Sequence, residues 1–173
     1  MKISKDSQLA ALKIPYLPMV IEEAFAVWQA PEGLKEVEQW TVENLAARAH
    51  LPVDGVLQRL RQIQSYASEI EIEPVELSAF LAQARDRVFL LDVREPWEYS
   101  LVHLPHSQLM AKLDLAQIFE GLKELTVITI CHYGQRSLSA ALYLKEAGLP
   151  RVKSLKGGLD LWAQVCDPGL RRY

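Results

Sequence analysis

The spacing of apolar residues along the chain changes character near residue 70. Before that point apolar positions recur every three or four residues, which is the period of an amphipathic helix. Beyond it, short continuous apolar runs alternate with helical stretches, a pattern typical of a parallel sheet with helices on both faces. The sequence therefore predicts a small all-helical unit over residues 1–69 and an α/β domain over residues 70–173.

Three helices are predicted in the N-terminal unit, over residues 21–28, 42–49 and 53–63. Thr41 is well suited to cap the second helix. The apolar residues expected to be buried in the last two helices share one face of each; they are Val42, Leu45, Ala46, Ala49, Val56, Leu60 and Ile63. These two helices, with a short break between them, resemble a helix-turn-helix.

Three buried strands are predicted in the α/β domain, over residues 88–91, 125–130 and 152–155. Helical spacing covers residues 74–85, 114–122, 137–147 and 159–165. In sheets of this class, ligands bind at the carboxyl ends of the strands. Functional residues are therefore expected at that edge of the sheet.

Composition excludes several classes of protein. The chain has 173 residues, half of them apolar, and a formal charge of −3, which gives no electrostatic reason to expect nucleic acid or a membrane as partner. Neither a signal peptide nor a spanning helix is predicted from its apolar runs. Two cysteines, Cys131 and Cys166, are too few for a disulfide scaffold, so we expect a cytoplasmic protein with free thiols.

Cys131 directly follows the second predicted strand and opens the sequence CHYGQRS, which leads into a helix. A turn from Cys131 to Arg136 can aim several backbone N–H groups at the sulfur, and the helix start and the Arg136 guanidinium add positive charge. Together they favour the thiolate, the reactive form of cysteine. The alternative is that Cys131 is a small apolar residue at a strand end, a common place for free cysteine.

Four segments resemble, in order and spacing, the signatures of the rhodanese family. They are DVREPWEY at 92–99, HLP at 103–105, CHYGQRS at 131–137 and GGLDLW at 157–162. The resemblance implies a persulfide-forming loop with Cys131 and Arg136 as catalytic residues. It also implies that Asp92, Arg94 and His103 shape the pocket. The remaining loop residues are predicted to bind substrate; they are His132, Tyr133, Gly134, Gln135 and Ser137.

Two positions depart from the family pattern, which usually has Gly before the His and after the Pro of the second segment. Val102 and His106 stand there instead, so the local turn is expected to differ. The histidines near Cys131 lack the spacing of a zinc site, and neither a metal nor an organic cofactor is predicted. Cys166 is expected to pack at the end of the domain. The alternative is that it resolves a persulfide formed on Cys131.

The function these features favour is sulfur transfer from a donor such as thiosulfate, through a Cys131 persulfide, to a thiol, cyanide or protein acceptor. Phosphatase chemistry is disfavoured, because the related phosphatases have one more residue between the Cys and the Arg. The other alternative is a sulfur- or redox-responsive DNA-binding regulator that uses Arg59 and Arg61 of the N-terminal unit.

Charge weighs against DNA binding, because residues 1–70 hold seven Lys or Arg and nine Asp or Glu. Residues 1–69 are predicted instead to form a homodimer or to dock a protein sulfur acceptor. The reason is that their narrow apolar faces need a further surface on which to pack.

Overall fold

The computed structural model describes residues 3–9 and 39–173. The chain divides into two compact units, Met1–Ser68 and Glu69–Tyr173. The helix predicted over residues 21–28 lies outside the described residues.

Helix α1 of the N-terminal unit, Val42–Arg48, begins behind Thr41 as predicted. The Thr41 hydroxyl accepts from the backbone N–H of Asn44, and the Asn44 side chain accepts from the N–H of Thr41, which completes a capping box. Six of the apolar residues predicted to face the interior are buried; they are Val42, Leu45, Ala46, Ala49, Val56 and Leu60. The side chain of Ile63, the seventh, lies outside the described part of the structure.

Helix α2 covers Val53–Ile70 and is longer than predicted. Apolar spacing weakens after residue 63, but no Gly or Pro interrupts the chain before Pro74, so the helix continues. Arg61, one of the two arginines that the regulator hypothesis needs, donates to the backbone carbonyl of Ile3 at 3.0 Å. The resemblance to a helix-turn-helix stays a prediction.

The second unit contains a five-stranded sheet in the order β1-β5-β4-β2-β3, with all neighbours parallel. The strands are β1 Glu71–Ile72, β2 Val88–Asp92, β3 Gln108–Leu109, β4 Thr126–Ile130 and β5 Val152–Leu155. The predicted parallel α/β fold is confirmed. The sequence did not reveal β1 and β3, because two-residue strands carry no apolar period.

Five helices accompany the strands in this unit. They are α3 Pro74–Ala84, α4 Pro96–Leu101, α5 Leu115–Leu122, α6 Gln135–Glu146 and α7 Gly158–Val165, with 3₁₀ turns at Arg85–Arg87 and Met110–Lys112. Helix α4 was not predicted, since six residues are too few to show a helical period. Among the described residues, no helix is both long and apolar enough to cross a membrane.

The register of the central strands places the functional edge of the sheet. Asp92, the last residue of β2, pairs with Ile130, the last residue of β4, so the two strands end level with each other. Leu90, Ile128 and Ile130 belong to the apolar core below this edge. The chain that follows each strand therefore emerges at one site, where Cys131 comes directly after β4.

Candidate active site

The loop that carries Cys131 is shorter than the six-residue turn predicted from the sequence. Helix α6 begins at Gln135, so Arg136 and Ser137 lie in its first turn and the loop proper covers residues 131–134. Gly134 makes the early start possible, because it precedes the helix with φ +89°, a left-handed conformation that glycine adopts without strain. The sulfur thus lies close to the start of a twelve-residue helix.

Two polar groups contact the Cys131 sulfur directly. The backbone N–H of Gly134 donates to Sγ at 3.1 Å, and the thiol donates to the Ser137 hydroxyl at 3.3 Å. Ser137 in turn donates to the carbonyl of Gly134 at 3.1 Å and accepts from Ser154 at 3.0 Å. Cys131 is 1% exposed and both serines are fully buried, so this floor, formed by Ser137, Ser154 and the Gly134 amide, is shielded from bulk solvent.

The carbonyl groups of the loop are bound by the start of α7. The N–H of Leu159 donates to the Cys131 carbonyl at 2.9 Å, and the N–H of Asp160 donates to the His132 carbonyl at 3.0 Å. At Gly158, φ is +62° and an added Cβ would lie 2.4 Å from both carbonyl oxygens. The close approach therefore requires glycine at this position.

Arg136 is held in a bidentate ion pair with Glu98 of α4. Its two terminal nitrogens donate to the two carboxylate oxygens, each at 2.7 Å. The hydrogen bonds from Arg136 are the main reason that the pKa of Glu98 falls to about 2 from its usual 4.5. The Glu98 side chain is 6% exposed, whereas the Arg136 side chain is 48% exposed and keeps a face open to solvent, where an anion can approach.

Aromatic side chains surround the entrance to the loop. His132 lies edge-on to Tyr133, with ring centroids 3.9 Å apart, and its ring centroid is 4.1 Å from that of Tyr173. Tyr173 also meets Trp97 in a T-shaped contact at 6.1 Å. Trp97 and Tyr133 are each 63% exposed, so these four residues form an accessible aromatic rim.

His132 is the buried member of the aromatic rim. Burial lowers the pKa of its imidazole, which favours the neutral ring. Its Nδ1 is enclosed and has no hydrogen-bond partner among the residues that the structure describes. His132 can therefore offer a proton donor or acceptor in the aromatic rim without adding a charge.

The rhodanese-like domain family matches residues 73–165, just over half of the sequence. The chain belongs to that family. The thiosulfate sulfurtransferase GlpE of Pseudoalteromonas translucida is 32% identical over 89 residues, which is 51% of this chain and 85% of GlpE. The probable adenylyltransferase/sulfurtransferase MoeZ of Mycobacterium tuberculosis (strain CDC 1551 / Oshkosh) is 36% identical over 106 residues, 59% of this chain but only 26% of that protein. The chain thus spans about a quarter of that longer relative.

A solved structure supports the fold of the rhodanese domain. A Rhodopseudomonas palustris protein, titled a protein of unknown function and possible tyrosine phosphatase, superposes with a TM-score of 0.50 at 22% identity. The match covers 61% of this chain and 86% of that one. At this identity the likeness concerns the fold alone.

The structure places the other predicted residues of the rhodanese site in different surroundings. Asp92 and Arg94 form a fully buried ion pair at 2.7 Å, while Gln135 is exposed at the first turn of α6. His103 stacks on Tyr99 with ring centroids 4.1 Å apart and bonds its carbonyl through Nδ1. Cys166 packs against the apolar core, and burial raises its pKa.

Sequence reasoning missed three residues that the structure brings to the site of this rhodanese domain. Glu98 was visible as part of an acidic pair, Glu95 and Glu98, at capping-box spacing, and the structure forms that box. Ser154 lies in a predicted strand, but nothing in the sequence pairs it with Ser137. Tyr173 is 75 residues away from its partner Glu98, and no local pattern signals such a contact.

Proposed function

We propose that this rhodanese domain is a sulfurtransferase that carries sulfane sulfur as a persulfide on Cys131. The observation that carries the proposal is the position of the sulfur, which lies at the end of β4 with the Gly134 amide 3.1 Å away. The half-exposed Arg136 guanidinium, in the first turn of the helix that follows the loop, adds positive charge at the entrance. The relatives named as sulfurtransferases support the same reaction class.

In the first half-reaction the Cys131 thiolate attacks the sulfane sulfur of a donor such as thiosulfate. The donor S–S bond breaks, sulfite leaves with the electron pair, and the new bond makes a persulfide on Cys131. Formation of the thiolate frees the Ser137 hydroxyl from accepting the thiol proton, so Ser137 can turn to donate to the sulfur. The open face of Arg136 receives the sulfonate oxygens.

In the second half-reaction an acceptor attacks the outer sulfur of the persulfide and the Cys131 thiolate leaves. Cyanide gives thiocyanate, and a thiol gives a new persulfide. Because the enzyme alternates between two covalent forms, ping-pong kinetics follow. His132 and Tyr133 contact the acceptor at the rim, and Gln135 lines the outer edge of the entrance.

The direct test is mass spectrometry of the full chain after exposure to thiosulfate. One added sulfur atom, about 32 Da, should map to the peptide that contains Cys131, because the reactive species is its thiolate. Addition of cyanide should remove the sulfur and release thiocyanate. Cys131→Ser should not gain the mass, whereas Cys166→Ser should gain it as the unmodified protein does. Sulfur loading on Cys131→Ser would contradict the assignment.

We further propose that residues 1–69 mediate self-association or the docking of a protein sulfur acceptor, and that residues 70–173 carry the chemistry. The compact unit Glu69–Tyr173 holds all five strands, which supports this division. Sedimentation of the full chain against the fragment 70–173 tests self-association. Thiosulfate loading of the fragment tests the division, and an inactive fragment would contradict it.

A further inference from the structure

The C-terminal segment of the chain folds back over the active loop. After α7 ends, Leu170 packs against the apolar core, and Arg172 forms an ion pair with Asp160 at 2.8 Å. Asp160 is the residue whose N–H binds the His132 carbonyl. The segment is therefore tied to the same helix start that holds the loop, and it brings Tyr173 to the entrance.

The Tyr173 hydroxyl connects the two ion pairs of the site. It accepts from Arg94 at 2.8 Å and donates to Glu98 Oε1 at 2.8 Å. Glu98 is the carboxylate that binds Arg136, and Arg94 is the partner of the buried Asp92. Burial, followed by the hydrogen bond to Glu98, raises the pKa of Tyr173, so the hydroxyl keeps its proton at neutral pH.

The hydrogen bond from Tyr173 to Glu98 changes how completely Glu98 neutralises the charge of Arg136. A carboxylate that accepts a third donor shares its negative charge more widely and neutralises the guanidinium less completely. The same bond limits rotation of the carboxylate and thereby fixes the guanidinium beside the entrance. Both effects leave more positive potential at Cys131, where an anionic donor must bind.

We propose that Tyr173 is a positioning residue that acts through Glu98 to keep Arg136 available to anionic sulfur donors. The inference rests on the proposed sulfur transfer for its biological meaning, but the electrostatic effect on Cys131 is independent of that reaction. The ring of Tyr173 closes one side of the aromatic rim, and its hydroxyl sets the charge balance behind it.

The first experiment compares Tyr173→Phe with Tyr143→Phe in the full chain. Tyr143 is 71% exposed on α6 and serves as the matched control. Loss of the Tyr173 hydroxyl should raise KM for thiosulfate about threefold to tenfold, the usual worth of one intramolecular hydrogen bond, with a smaller change in kcat. Tyr143→Phe should behave as the unmodified protein.

A second measurement needs no sulfur transfer. Cys131 is alkylated with iodoacetate, which is anionic, or with iodoacetamide, which is neutral, and the rates are followed on the Cys131 peptide. Tyr173→Phe should lower the ratio of the iodoacetate rate to the iodoacetamide rate by about threefold, because less positive potential remains at the sulfur. General loosening of the fold would raise both rates together and leave the ratio unchanged, an outcome that overturns the proposal.

A double-mutant cycle locates the effect. In a Glu98→Gln background Tyr173→Phe should no longer change the alkylation ratio, because the carboxylate through which it acts is absent. An equal drop in both backgrounds would overturn the proposed route. If Glu98→Gln does not fold, the alkylation ratios of Tyr173→Phe and Tyr143→Phe still decide whether the Tyr173 hydroxyl affects the potential at Cys131. If unmodified protein takes no sulfur from thiosulfate but the alkylation ratio depends on Tyr173, the proposed function fails and this inference stands.

Discussion

The floor and the rim of the active site meet at Cys131 but are built on different principles. The floor consists of the buried serines Ser137 and Ser154 and the Gly134 amide, which come from the start of α6 and from β5. The rim consists of aromatic side chains from α4, the loop and the C-terminal segment, of which Trp97 and Tyr133 are largely exposed and His132 is buried. The proposed reaction assigns the nucleophile to the floor, and the contacts with donor and acceptor to the rim.

This difference explains why substitutions on the two sides should fail in different ways. A change in the floor displaces tightly packed atoms and should affect folding and chemistry together. A change in the rim alters charge and shape near the entrance and should affect the choice of substrate more than the fold.

The largest effect is expected at the base of the loop, in Gly158→Ala. The added Cβ would lie 2.4 Å from two carbonyl oxygens at a φ of +62°, so the variant should lose about 3 kcal/mol of stability and most sulfur transfer. Gly148→Ala is the control, because its φ is +107° but nothing lies within 4 Å. Gly148→Ala should lose about 1 kcal/mol of folding stability. Denaturant unfolding of both variants measures the two losses. Equal losses would show that crowding of the loop carbonyls is unimportant.

The next effect concerns Glu98, which links α4 to Arg136. Its pKa is about 2 in the folded protein against 4.5 ordinarily, so its stabilisation is present above pH 4.5 and is lost as the pH falls toward 2. Glu98→Gln should therefore cost on the order of 2 kcal/mol at pH 7, and the difference should shrink in acid.

Unfolding of both proteins between pH 7 and pH 3 measures this dependence. Glu120→Gln is the control, because that carboxylate is 81% exposed and forms a surface ion pair with Lys123. It should show no comparable change with pH. A Glu98→Gln penalty that is constant over this range would mean that the carboxylate charge is not what stabilises the site.

A smaller effect is expected from Ser154→Ala in the floor. The variant removes the hydroxyl that donates to Ser137 at 3.0 Å and should cost about 1 kcal/mol, with a twofold to fivefold fall in kcat/KM, roughly the worth of one hydrogen bond. Ser139→Ala is the control, since the Ser139 hydroxyl donates to a carbonyl of its own helix. Loss of stability without any change in turnover would separate the floor from the chemistry.

The smallest effect is expected outside both regions, at His106. Its φ of +65° is unfavourable for any residue other than glycine. His106→Gly should therefore gain about 0.5 kcal/mol of folding stability and leave thiosulfate use unchanged. Val102→Gly is the contrast, because Val102 is extended with φ −165° and gains nothing from glycine. This variant should lose about 0.5 kcal/mol of folding stability, because glycine loses more conformational freedom on folding than valine does. A change in sulfur transfer in His106→Gly would extend the active site to this turn.

The sequence predicted what local patterns encode. Continuous apolar runs marked β2, β4 and β5, and the residues around Cys131 marked the loop at the end of β4. The two-residue strands β1 and β3 are defined by pairing rather than by their own sequence. The contact of Tyr173 with Glu98 has no sequence signal, because it depends on how the chain returns after α7. The roles assigned to individual site residues stay predictions.

The burial of Cys131 has a consequence for where the transferred atom resides. With the thiol 1% exposed, attack begins from inside the loop, but the outer sulfur of a persulfide lies one S–S bond, about 2 Å, farther out. In the proposed reaction, loading therefore places the electrophilic sulfur beyond the serine floor, on the side of the aromatic entrance. The floor would hold Cys131 as attacking group and as leaving group, and the rim would meet the donor and the acceptor, so substitutions in the two regions should act on different partners of each step.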